Sequence, residues 1–75
     1  MRHASPQPFS QAQKKYTKLL CEGNSFSEIA KQYNTTERTI RNRVYEVRQV
    51  AEIEHVYKLI AMYYTDETFR ELINS

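Results

Sequence analysis

Seventy-five residues, 40% hydrophobic and 27% charged, specify one small globular domain, because a chain this short buries only about 60 to 65% of its unfolded surface. So small a core disfavours a large enzyme pocket, a single cysteine excludes an internal disulfide, and no apolar run reaches the roughly 18 residues that span a bilayer. The net charge of +2 is weak evidence for a polyanionic partner, but residues 1 to 49 hold nine Lys/Arg against four Asp/Glu, while residues 50 to 75 hold two against five. A solvated basic face accounts for that asymmetry about as well as a nucleic acid does.

Residues 1 to 8, with two prolines and no periodic pattern, read as a flexible arm, with Arg2 and His3 placed where they could touch a phosphate backbone. The same segment lacks the apolar stretch of a signal peptide, which points to the cytoplasm. Ser10 and Gln13 have capping-box spacing, and Tyr16, Leu19 and Leu20 give an apolar stripe for a helix from about Ser10 to Glu22. Gly23, the one glycine, stands where that helix should stop.

Ser25 and Glu28 repeat the capping box and open a second helix running to about Tyr33, with Ile29 as its apolar anchor and Ala30 small enough to let another helix cross closely. Asn34 suits the left-handed conformation of a sharp turn. Thr36 opens a third helix, about 37 to 49, in which Ile40, Val44 and Val47 point inward at spacings of four and three. Arg38, Arg41, Asn42, Tyr45, Arg48 and Gln49 fall on roughly the opposite face. A helix lying in the major groove of DNA needs that division: apolar anchors on one side, and guanidiniums and amides for phosphates and base edges on the other. Tyr45 has two readings, as a base contact or as a half-buried edge of the core, and so has Glu37, as a favourable charge at the helix start or as a partner for a cytosine amino group. Asn42 is an adenine reader by chemistry.

The inward stripe loses register near residues 50 to 52, and a new one of Ile53, Val56, Ile60 and Tyr63 begins. With Tyr57, Leu59 and Tyr64 added, this fourth helix, about 53 to 64, is apolar and aromatic over an arc well beyond 100°. Packing under the first three helices takes part of that arc. A second subunit or a last short helix, DETFRELI, takes the rest; Thr65 or Asp66 caps the latter, and Phe69, Leu72 and Ile73 can dock it. No alternating pattern predicts a strand, so the expected fold is all-α, with four helices and an extra short C-terminal one, and a winged variant with a β-hairpin is disfavoured. His3, Cys21 and His55 lack metal-ligand spacing; Cys21 reads as a small core residue and His55 as a surface or interface histidine. No catalytic grouping, cofactor motif or phosphate-cradling glycine loop is present, so no enzyme is expected.

From Phe9 to Gln49 the chain resembles, without a gap, the LuxR/GerE-type helix-turn-helix domain. The matching positions are Phe9-Ser10, Leu19-Leu20, the segment Gly23-Asn24-Ser25-Phe26-Ser27-Glu28-Ile29-Ala30 for the pattern G-x-S-x-x-E-I-A, and Thr36-Glu37-Arg38-Thr39-Ile40-Arg41-Asn42-Arg43-Val44 for the recognition helix. The resemblance implies sequence-specific binding of bacterial promoter DNA by a homodimer formed through the fourth helix. It sets Arg41, Asn42 and Tyr45 toward the bases and Thr36, Arg38 and Thr39 near the phosphates, with Arg48 added to the phosphate set by its place on the helix. Ile53, Val56, Tyr57, Ile60 and Tyr64 are the expected dimer contacts. The chain departs from the family pattern at Gln13 and Lys15, where acids are usual, at Arg43, where His is frequent, and at Val50-Ala51-Glu52, where a Leu-Gly-Val bend is usual. The competing expectation is a protein-interaction module on the same fold, contacting RNA polymerase, a sigma factor or another regulator through its acidic C-terminal part.

Overall fold

A computed structural model describes residues 8–75 and shows an all-helical chain, with no strand among the described residues. The elements are α1 (Gln11–Cys21), α2 (Phe26–Gln32), α3 (Glu37–Val50), α4 (Val56–Thr65) and α5 (Glu67–Asn74). Arg2 and His3 lie outside the described residues.

The starts of these helices follow from side chains that satisfy orphan amides. Ser10 Oγ accepts from the Gln13 amide at 3.1 Å and Gln13 Oε1 accepts from the Ser10 amide at 2.8 Å. Ser25 and Glu28 repeat the exchange at 3.0 and 2.7 Å, and these hydrogen bonds, backbone first, hold the Glu28 carboxyl below its ordinary value. Thr36 caps α3 and Asp66 caps α5, each accepting from the amide three residues on.

The stops of α1, α2 and α3 share one device. Each helix ends in a residue with positive φ, Gly23 at 103°, Asn34 at 54° and Glu52 at 59°. In each case the next amide reaches back to a carbonyl five residues upstream: Asn24 to Leu19 at 3.1 Å, Thr35 to Ala30 at 2.9 Å and Ile53 to Arg48 at 2.8 Å. These are Schellman closures, which satisfy carbonyls that the helix itself cannot. The third one corrects the expected start of the fourth helix. The Ile53 amide is committed to closing α3, so Ile53 belongs to the turn, and α4 begins at Val56 with His55 as its N-cap residue.

α1 is the hub, packed against all four other helices, while α3 lies on α1 and α2, and α5 on α1 and α4. One core results, in which Ile29, Ile40, Val47 and Leu59 are fully buried and Val44 is 1% exposed. Phe9 and Phe69 meet edge to face across it at 6.2 Å, which draws the start of α1 onto α5. Cys21 is buried in this core; burial first, and then the neighbouring Glu22 carboxylate, push its thiol up to about 12. Polar ties cross the same seams. Gln13 Nε2 donates to Glu46 Oε1 at 2.8 Å, joining α1 to α3, and Arg43 within α3 holds the other oxygen of Glu46 at 2.6 Å. Asn74 Nδ2 donates to the Tyr63 hydroxyl at 3.1 Å, and the Tyr64 hydroxyl donates to the Cys21 carbonyl, tying α4 to α5 and to the end of α1.

Candidate nucleic-acid interface

The division of α3 into two faces is physical as well as formal. Ile40, Val44 and Val47 are sealed against α1 and α2, which fixes the rotation of the helix and turns Arg38, Arg41, Asn42, Tyr45 and Gln49 to the outside. Thr36 is exposed and Thr39 half-buried at its N-terminal end, their hydroxyl oxygens 3.1 Å apart and thus hydrogen-bonded to each other. Glu37 and Glu46 are the acids of this helix, and each has an arginine partner, Arg41 at 3.2 Å and Arg43 at 2.6 Å. Arg38 and Arg48 are left without a carboxylate partner among the described residues, so the net positive field of α3 originates with them.

The arginines differ in how firmly they are held. Arg38 projects into solvent with no hydrogen bond among the described residues. Arg41 is fixed from two directions: Glu37 takes one edge of its guanidinium, and the Phe26 ring of α2 lies 4.6 Å from the guanidinium carbon. Arg48 sits on the flank of α3 rather than on the outer face. It is half-buried, its guanidinium carbon 5.1 Å from the Tyr45 ring centroid, and its Nη1 donates to the Glu54 carbonyl, while its buried Nε has no partner. Tyr45 is 49% exposed, and its hydroxyl accepts from Gln49 Nε2 at 3.3 Å. Tyr45 is therefore not part of the core: its ring lies beside the Arg48 guanidinium and its hydroxyl end stands in solvent. Two open depressions flank this outer face. One, of about 470 Å³, lies between Tyr45, Gln49 and the turn at Glu52, Ile53 and Glu54; the other, of about 300 Å³, lies between Phe26, Arg41, Asn42 and Tyr45.

The expected dimer contacts are split by the fold. Ile53, Val56 and Ile60 are half-buried and pack against the core of their own chain, together with Met62, so most of the apolar arc is covered internally. Tyr57 and Tyr64 remain 66% and 58% exposed on α4, with Ala61 exposed between them. Tyr57 stacks on His55 at 5.2 Å with 10° between the ring planes. Among the described residues no group of three or more His, Cys, Asp or Glu comes together in metal-binding fashion, and no helix is long and apolar enough to cross a membrane.

Two participants escaped sequence reasoning. Phe26 lies three and four residues before Ile29 and Ala30, on the inward stripe of α2, and is half-buried against the core, so nothing in its spacing announced a contact with Arg41. The Glu54 carbonyl that receives Arg48 had no signal at all, since it is a backbone atom placed by the turn. No protein-family model, curated protein or solved structure matches this chain.

Proposed function

We propose that the chain is a sequence-specific double-stranded DNA-binding transcriptional regulator of the LuxR/GerE helix-turn-helix type, not an enzyme, working in the cytoplasm without cofactor. The observation that carries this reading is the two-sidedness of α3, sealed on one side by Ile40, Val44 and Val47 and lined on the other by Arg38, Arg41, Asn42 and Tyr45. Its 14 residues span about 21 Å, enough to lie along the major groove through several base pairs. Arg38, Thr36 and Thr39 set the register on the phosphates, and Arg41, Asn42 and Tyr45 read base edges. Arg48 holds the turn at Glu54 through Nη1 and offers a phosphate the rest of its guanidinium.

The exposed stripe of Tyr57, Ala61 and Tyr64, with the outer edge of Ile60, has helical spacing suited to pairing with its own copy across a two-fold axis. A homodimer on a palindromic site follows. Selection of bound duplexes from a random pool tests the reading: a palindromic motif is the expected result, and failure to enrich any motif contradicts it.

A second reading has its own observation. Val50, Met62, Phe69 and Leu72, from the part of the chain where acids outnumber bases, line with Phe9 an open groove of about 300 Å³ on the side of α5. An interaction module contacting RNA polymerase, a sigma factor or another regulator would use that groove. It leaves the outer face of α3 without a role.

A further inference from the structure

Phe26 is a residue of α2, yet its ring lies against a guanidinium of α3, 4.6 Å from the carbon of Arg41. Glu37 Oε1 holds Nη2 of the same group at 3.2 Å, and the Arg41 side chain nonetheless remains 60% exposed. One side of the guanidinium is thus covered and one nitrogen is pinned, while the other side and the remaining N–H groups face solvent. Next to it opens the notch of about 300 Å³ between Phe26, Asn42 and Tyr45, whose apolar base includes Val44, 1% exposed, and the half-buried Val56. A phosphate-binding arginine needs neither an aromatic backing nor an apolar notch at its side.

We infer that Arg41 and the notch beside Phe26 together read a two-base step, in which Arg41 binds guanine and the notch receives the C5-methyl group of the pyrimidine immediately 5′ to it. The inference rests on the reading of α3 as a major-groove helix. A guanidinium bonded to O6 and N7 of guanine lies close to the plane of that base. The pyrimidine stacked on its 5′ side projects the C5 substituent into the major groove, over one side of the guanidinium. Inside the notch that methyl group meets the Phe26 ring, beside a flat, weakly hydrated cation. A purine in that position presents no methyl group to the apolar part of the notch, formed by Phe26, Val44 and Val56 beside the polar rim of Asn42 and Arg48. Thymine and 5-methylcytosine carry the required methyl group; cytosine and uracil lack it. The preferred step is therefore T-G or 5-methylcytosine-G rather than C-G, and Phe26 is a specificity-determining residue supplied by the helix that precedes the recognition helix.

The test is a parallel selection by the full chain from random duplex pools made with thymidine, with deoxyuridine in its place, or with 5-methyldeoxycytidine in place of deoxycytidine. The expected outcome from the first pool is thymine over cytosine before the guanine by about four- to tenfold, the ratio that one buried methyl group supplies. With deoxyuridine that preference vanishes while the guanine is still selected, and with 5-methyldeoxycytidine the two pyrimidines become equivalent. A Phe26→Leu variant with an unchanged helical circular-dichroism spectrum should keep the guanine and lose most of the distinction between thymine and uracil. Should the variant not fold, the three pools with the unmodified protein decide alone. Equal selection of thymine and uracil, or acceptance of a purine before the guanine, overturns the inference and leaves DNA binding standing. Enrichment of no motif in any pool overturns both.

Discussion

Arg38 and Arg41 lie three residues apart on one helix, and their surroundings differ. Arg41 is held by Glu37 and Phe26, so little conformational freedom would be lost in the proposed docking on a base edge. Replacing it by Ala should weaken binding to the selected site by about 1 to 3 kcal/mol and relax preference at one base position, as read by competition with single-base variants of that site. Equal loss on specific and random duplexes would make Arg41 a phosphate contact instead. Arg38, which nothing holds, suits a phosphate, whose position tolerates a mobile partner. Its removal should reduce affinity uniformly across sequences and lower the slope of log K against log salt by about one unit. The backbone of Glu52 offers a stability test of a different kind. A φ of 59° is strained for a residue with a side chain, and Glu52→Gly should stabilise the chain by about 1 kcal/mol in urea denaturation, provided the closure of α3 is as described. A loss of stability would contradict that closure.

The helix starts and the inward stripes were legible from local chemistry, because a capping box and a 3.6-residue period each act within a few residues. Ser10 with Gln13, Ser25 with Glu28, and the triplet Ile40, Val44, Val47 are cases of this. The start of α4 was not legible. Ile53 fits the apolar stripe of the fourth helix, yet its amide closes α3, and only the unusual backbone of Glu52, which no glycine announces, tells the two apart. The candidate site follows the same pattern: the outward set on α3 was readable by helical arithmetic, whereas the flank position of Arg48 and the arrival of Phe26 from α2 depend on packing between elements. Packing also explains two departures from the family resemblance. Gln13 uses both ends of its amide, one for the Ser10 amide and one for Glu46, and Arg43 pairs with Glu46; a carboxylate at position 13 would face another. Gln13 first, and then Arg43, hold the Glu46 carboxyl below its ordinary value. A carboxyl whose value is depressed on folding stabilises the chain above its unfolded value and loses that contribution as pH falls through the folded one. Thermal unfolding of a Glu46→Gln variant should therefore show a smaller drop in midpoint on acidification below the ordinary carboxylate range than the parent; an identical drop would place the acid sensitivity elsewhere. The anchor of α3 gives the larger effect. Ile40→Ala should cost about 2 to 5 kcal/mol, and an unchanged denaturation midpoint would mean that the helix is rotated from its described setting.

For the molecule as a whole, the fold leaves three surfaces that a partner could cover: the outer face of α3 with its flanking notches, the stripe of Tyr57, Ala61 and Tyr64 on α4, and the groove between Phe9, Phe69 and Leu72. Pairing through the α4 stripe would present two recognition helices to successive major grooves about 34 Å apart. Tyr57 is the cleaner probe, because Tyr64 also donates to the Cys21 carbonyl and its loss would loosen α4 from α1. Tyr57→Glu should sediment as a folded monomer and bind a palindromic site far more weakly; an unmodified protein that is already monomeric at tens of micromolar, free and on DNA, would remove the dimer. The claim on which all of this depends is that nucleic acid lies on α3. An amide-resolved NMR titration with a duplex of about 20 base pairs at low salt tests it most directly, since nonspecific binding to any sequence suffices there. With nucleic acid on α3, shifts concentrate from Thr36 to Gln49, with Phe26 among them and the groove between Phe9, Phe69 and Leu72 silent. Shifts centred on that groove, or none at all, would contradict it.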